Sequence, residues 1–371
     1  MSKIFHIIID GYSPNNEDDY FKNGFEELFQ DYNKNSVVKH NPDEGHMSGR
    51  PHSPDMWTRA YSKTSFADVK EEGDSARLGP TTKINRIPSK NFIWNKLGSK
   101  GIDSWIYPFG QYYRLVHRNM IQHSVKDHIN GVAKYYGTNQ SARISKGKVE
   151  WYKGDYTYWG MHETAWGREK VKGDKIFGKY YENWRNMTPE FEKIMVQECY
   201  EYYKNSLIPM MNEDKILFET DILPHFDKTL KNSDNLQYVH VGLVEADTLY
   251  HFTPLYSDIN TVLYDYYKFI ISHILDVYKP EIVILTGDHG MERPWISPRR
   301  KAKGKVTWNG ITRDVVQSQW GVAPLYNDHS WSIGCDVYTK VSSNIFDNIK
   351  DGNETYLMYD IYDSILSELC D

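Results

Sequence analysis

Cysteine is scarce in this chain. Cys199, Cys335 and Cys370 are three in 371 residues, too few and too scattered for a disulfide framework or a cysteine-built zinc finger, so a reducing compartment is expected. Long apolar runs are missing as well. The opening "MSKIFHIIIDG" is broken by Asp10 before it reaches the length of a signal peptide or a membrane span, and a soluble, cytoplasmic protein is expected. Positive charge is not in excess: the formal net charge is -6, which excludes bulk electrostatic attraction to nucleic acid as the main partner interaction. Internal repeats and long low-complexity tracts are also absent. A chain of 371 residues has room for one large α/β domain with insertions, or for two domains.

Aromatic residues are abundant, with 29 Tyr and 11 Trp. Many crowd between about Tyr112 and Tyr203, in "YYRLVHR", "VEWYKGDYTYWG" and "KYYENW". Packing explains most such rings, and stacking on a base or sugar explains a few. Around this region the chain alternates strand and helix signals. "KIFHIIIDG" reads as a buried strand, and "FKNGFEELF" as an amphipathic helix with Phe21, Phe25 and Phe29 on one side. The Gly- and Pro-rich stretch from Asn41 to Pro54 reads as a loop, and "NFIWNKLGSKGIDSWIYPF" as helix, glycine turn and strand. "NLQYVHVGLVEAD" is a further strand. "YSDINTVLYDYYKFIISHILDVY" is a helix whose stripe is Val262, Tyr266, Phe269, Ile270 and Ile274, and "PEIVILTGDHG" is the strand after it. Strand, helix, strand in this order predicts parallel crossovers, hence an α/β fold with a mostly parallel central sheet and helices on both faces. Residues 1–110 and 231–371 are expected to form the core. Residues 111–230, including the helix-like "PEFEKIMVQECYEYYKNSL", are expected to form an aromatic-rich inserted cap.

The three clearest strands all run into acid. One ends in Asp10, one in Asp247 with His251 four residues later, and one in Asp288 and His289. In a parallel sheet these ends share one edge, where open α/β folds place their ligands. Asp and His four apart face the same way when the segment is helical, which suits one ion bound from adjacent turns. Singly, such an Asp caps a helix and such a His packs or solvates. Three together point elsewhere, because carboxylates gathered in one crevice repel and call for cations.

"IIIDG", "DTLYH" and "GDHGM" together resemble the alkaline phosphatase superfamily, most closely its type I phosphodiesterase and nucleotide pyrophosphatase branch. The C-terminal "LMYDIYDSIL" resembles the helix near many family C-termini, and the similarity covers about residues 3–110 and 236–368. The resemblance implies two divalent metal ions, one held by Asp10, Asp288 and His289, the other by Asp247, His251 and His329, the last being the only histidine after His289. Mixed Asp and His ligands suit zinc, with manganese as second choice.

In "HSPDMWTRAYSK" the same resemblance places Ser53 at the nucleophile position, with Thr58 as the runner-up and Trp57 at the aromatic position. Lys63 stands where the family has glycine. The implied reaction is attack by Ser53 on phosphorus, loss of an alcohol or nucleotide, and hydrolysis of the phosphoseryl or nucleotidyl intermediate. The expected partner is a small phosphate ester, of nucleotide type if Tyr112, Tyr113, Trp151 or Trp159 stack on it. Arg50, Arg59 and the basic run at 297–305 are the cations that a monoester's extra charge would need. Two alternatives stay open: a phosphomonoesterase or phosphomutase of the same superfamily, and a metal-containing binding protein without catalysis. A sulfatase is set aside, because Pro54 and Arg59 have the wrong spacing and no cysteine is near Ser53.

Overall fold

The computed structural model describes residues 2–12, 25–40, 53–64, 89–107, 142–145, 148–151, 208–243, 245–247, 259–292, 304–308, 311–315, 328–330, 332–352 and 356–370, with isolated positions between 190 and 205. Strand β1 (Ile4–Ile9) is buried at every position, as an apolar run without polar alternation requires. It lies between β6 (Leu236–Leu243) and β7 (Ile282–Thr286), parallel to both. Strand β3 (Asp103–Tyr107) adds in parallel beyond β6. The sheet widens on one side through β12 (Ser332–Thr339) and β2 (Asn33–His40), and on the other through β4 (Ala142–Ser145) and β5 (Lys148–Trp151). Its order is β2-β12-β7-β1-β6-β3-β4-β5, and only β12 and β4 run against the rest. The short β8 (Gly290–Glu292) pairs with β11 (Asp328–Ser330), and β9 (Gly304–Trp308) with β10 (Ile311–Val315).

Helices cover both faces of this sheet, as the alternation of signals predicts. Adjacent residues of a strand point to opposite faces, and the partners of β6 show it. His240 meets Tyr61 of α1 (Ser53–Ser62) across a 2.5 Å hydrogen bond. Trp105, level with Val239, packs instead on Phe226 of the helix Leu223–Lys231. The α1 layer also contains α2 (Ile93–Ser99) and two C-terminal helices, Ile345–Asp351 and Leu357–Cys370. The opposite layer contains Ile208–Leu217, Leu223–Lys231 and the long helix Ile259–Tyr278. The long helix buries Tyr266, Ile270 and Ile274, with Val262 and Phe269 partly covered at the margin of the stripe. No helix among the described residues is long and apolar enough to cross a membrane.

The turn between α2 and β3 uses Gly101 at φ 82°, a conformation that costs glycine little. The segment around Phe25 forms a 3₁₀ turn, Phe25–Phe29, rather than the expected amphipathic helix, and Phe21 lies outside the described residues. Within the expected insertion, Phe218, Ile222, Leu223 and Phe226 join the main core. Most of the aromatic-rich stretch, with Tyr112, Tyr113 and Trp159, lies outside the described residues, as does "PEFEKIMVQECYEYYKNSL" but for isolated positions.

Two histidines sit side by side under α1: His6 of β1 and His240 of β6 are in register and both fully buried. His6 Nδ1 shares a 2.9 Å hydrogen bond with the Tyr238 hydroxyl, and burial pulls the His6 pKa from 6.5 down to about 3. An unfolded chain takes a proton on this imidazole below about pH 6.5, whereas the folded one refuses it, so stability falls as pH drops through that window. His6→Gln is expected to flatten the fall by up to about 1.4 kcal/mol per pH unit between about pH 6 and 4. Urea denaturation over a pH series measures it; parallel curves for the two proteins would assign the acid sensitivity elsewhere.

Candidate metal centre

The carboxyl ends of β1, β6 and β7 finish almost level, with Ile9 paired to Leu243 and Ile8 to Thr286. Asp10 continues the ladder by donating its backbone N–H to Leu243 O at 2.8 Å, which holds the residue at the strand end. Asp247 follows β6 in a helical stretch, residues 245–247, that is held through Glu245, whose carboxylate accepts from the hydroxyls of Tyr267 at 3.1 Å and Tyr266 at 3.4 Å. Beyond β7 the chain turns at Gly287. A Cβ there would meet Tyr12 O at 1.9 Å and His289 O at 2.9 Å, so this close backbone approach admits only glycine. Thr286 Oγ1 donates to Gly334 O at 2.9 Å and ties the end of β7 to β12.

The outcome is a buried cluster. One ligand atom from each of Asp10, Asp247 and His289 lies within 4.8 Å of the others, and all three residues are at most 3% exposed. His289 Nε2 is 3.0 Å from Asp10 Oδ1 and 3.6 Å from Asp288 Oδ2. Its other nitrogen, Nδ1, donates to Gly290 O at 3.0 Å, which orients the ring and leaves Nε2 to face the carboxylates. Asp288 is fastened more completely. Its Oδ1 accepts from the backbone N–H of His289 at 2.9 Å and of Gly11 at 3.2 Å, and its Oδ2 accepts from Trp57 Nε1 at 3.0 Å.

The electrostatics show a centre with too much negative charge. Burial, then the charges of Asp288 and Asp247, push the Asp10 carboxyl well above its usual range, with His289 opposing them. Burial draws the His289 imidazole down, but Asp288, Asp10 and Asp247 more than reverse this and raise it to about 10. Asp10 Oδ2 is buried and accepts no hydrogen bond from the described residues. Two carboxylates and an imidazole within 4.8 Å of one another, beside the charge of Asp288 and with a desolvated oxygen left over, form a donor set that a divalent cation fits.

The other residues expected at the site are described to differing degrees. His329 lies in β11 opposite Met291, so its backbone stands two positions along the strand pair from His289; its side chain lies outside the described structure. His251 lies outside the described residues altogether. Ser53 opens α1, one turn ahead of Trp57, while its side chain and that of Thr58 are not described. Arg59, expected as a cation for substrate, is 3% exposed with its guanidinium 3.5 Å from the centre of the Tyr356 ring. It stands two residues after Trp57, roughly 200° around the helix, and so faces the C-terminal helices. Arg50 and residues 297–303 lie outside the described residues. The role of the Trp57 indole was not visible in the sequence, where its position marked only an aromatic.

No protein-family model and no curated protein matches this chain. Among solved structures it is similar to the alkaline phosphatase from the Antarctic bacterium TAB5, at 10% identity and a TM-score of 0.41, over 100% of this chain and 99% of that one. Two mutants of that alkaline phosphatase with Mg bound in the M3 site match over the same shares at 10% identity, with TM-scores of 0.40 and 0.42.

Proposed function

We propose that the protein is a metal-dependent phosphoester hydrolase of the alkaline phosphatase superfamily, acting on a phosphodiester or nucleotide pyrophosphate with Ser53 as nucleophile. The observation that carries this reading is the convergence of Asp10, Asp247 and His289 within 4.8 Å, buried, at the ends of parallel strands. Two divalent cations, zinc by donor chemistry with manganese as second choice, would be held by Asp10, Asp288 and His289 and by Asp247, His251 and His329. When bound, they supply Lewis-acid stabilisation of the charge that develops on phosphoryl oxygens and make a serine hydroxyl a competent nucleophile at neutral pH.

The chain's own residues set up that chemistry. Gly290 O holds His289 in the tautomer that presents Nε2. Two backbone N–H groups and an indole hold Asp288. The position of Ser53 at the start of α1, one turn ahead of the Trp57 that touches the Asp288 carboxylate, supports its reading as nucleophile. The withdrawal of Arg59 into the C-terminal helices favours a diester, because it removes one of the cations that a monoester's second negative charge calls for.

The test compares a bis-aryl phosphate with an aryl monophosphate, with zinc or manganese supplied and metal content measured on the same sample. The diester is expected to show the higher kcat/KM by about tenfold or more, a difference of about 1.4 kcal/mol in transition-state binding. A strong monoester preference would transfer the reading to a phosphomonoesterase or phosphomutase. Bound metal without turnover of either ester would support a binding protein.

A further inference from the structure

We propose that Trp57 is a positioning residue of the metal centre: its indole N–H sets the orientation of Asp288 and, through it, the placement of α1 against the cluster. The inference rests on the metal-centre reading above and deepens it.

Three observations carry it. First, Trp57 Nε1 donates to Asp288 Oδ2 at 3.0 Å, and Trp57 is the described side chain that donates a hydrogen bond to this carboxylate, the other two donors being backbone N–H groups on Oδ1. A buried carboxylate hydrogen-bonded on both oxygens cannot swing about its Cβ–Cγ bond, and so offers its remaining lone pairs in one direction. Second, the contact is buried, with Trp57 and Asp288 both 0% exposed, which makes an N–H···carboxylate bond stronger and its loss more costly than on a surface. Third, Tyr61, one turn further along α1, makes its own buried hydrogen bond to His240 at 2.5 Å. Two polar anchors four residues apart fix both the rotation and the axial position of the helix over the sheet. The turn ahead of them begins with Ser53.

The two anchors differ in what they hold, and this separates positioning from packing. Trp57 reaches a residue of the metal cluster, whereas Tyr61 reaches a histidine inside the sheet. Trp57→Phe keeps an aromatic ring and removes the N–H. It is expected to weaken zinc binding by about 10- to 100-fold, measured in competition with a chromophoric chelator and without substrate, the range found when outer-shell partners of metal ligands are removed. Tyr61→Phe is expected to lower the unfolding midpoint while leaving zinc affinity within about threefold, since the hydrogen bond it removes goes to His240 and not to a ligand. Equal zinc affinity for Trp57→Phe and the wild type would overturn the proposal while leaving the metal centre standing. Failure of the wild type to bind zinc or manganese would instead remove the reading beneath it. Should Trp57→Phe not fold, the wild type still decides. Among the indole N–H resonances of its 11 tryptophans, at least one is expected to shift when zinc is added, and none shifting would overturn the proposal.

Discussion

Asp10→Asn is expected to abolish zinc binding at the cluster while leaving the metal-free protein at least as stable as the wild type. These two effects have opposite signs for one physical reason. Asp10 is fully buried, and burial together with the charges of Asp288 and Asp247 makes its ionised form unfavourable in the metal-free fold. An amide has the same shape and carries no charge, so the change opens no cavity and removes one of three crowded carboxylates. The His289 imidazole keeps Asp288, 3.6 Å from Nε2, as a counter-charge. Without metal, the variant is expected to gain about 1 kcal/mol, in line with buried charges whose desolvation outweighs their pairing. With zinc at a thousandfold excess over its dissociation constant, the wild type gains about 4 kcal/mol by linkage, and the variant gains almost none. Hydrolysis falls by about a thousandfold or more, since Lewis-acid stabilisation is worth several kcal/mol of the barrier. Urea denaturation with EDTA and with zinc reads both signs. A variant destabilised equally in the two conditions, and still stabilised by zinc, would show that Asp10 is a structural carboxylate.

The parts of this centre that can be read from the sequence are those whose physics is local. β1, β6 and β7 are legible because strands buried on both faces are apolar at consecutive positions, and the acid at each end breaks the run. β2 is not legible, because "NKNSVVKH" has few β-forming residues and takes its structure from pairing with β12 at the sheet edge. β12 itself carries a buried acid, Asp336, which is acceptable there because the hydroxyls of Tyr12, Ser36 and Tyr338 all donate to it. Tyr338 is two residues along the same strand, but Tyr12 and Ser36 come from distant segments, and no window of sequence around Asp336 contains them. Arg59 marks the same limit in the site. Its nearness to Ser53 in sequence suggests a substrate cation, whereas the helix carries it round to Tyr356 and Tyr359. Trp57 is the converse case, marked in the sequence only as an aromatic, whose indole holds the carboxylate of Asp288 beside His289.

Ser53→Ala is expected to lower kcat by about a thousandfold or more, while zinc affinity stays within about threefold of wild type. The expectation follows from where α1 begins. Ser53 is its first residue, Trp57 comes one turn later, and the Trp57 indole is bonded to Asp288, so the helix start is tethered to the cluster by a single turn of backbone. The competing role for a serine at that place is an N-cap, and a cap makes a different prediction. Its removal costs about 0.5–2 kcal/mol of stability and leaves the chemistry alone. The two roles therefore separate on one pair of measurements, kcat and the unfolding midpoint, with zinc affinity confirming that the centre is intact. Thr58→Ala is the internal control, since Thr58 follows Ser53 by five residues, about 140° round the helix. Loss of turnover in Thr58→Ala with turnover kept in Ser53→Ala would move the nucleophile to Thr58. Turnover kept in both, but lost in Asp288→Ala, would mean that α1 supplies no nucleophile and that the ester is attacked by water at the cluster.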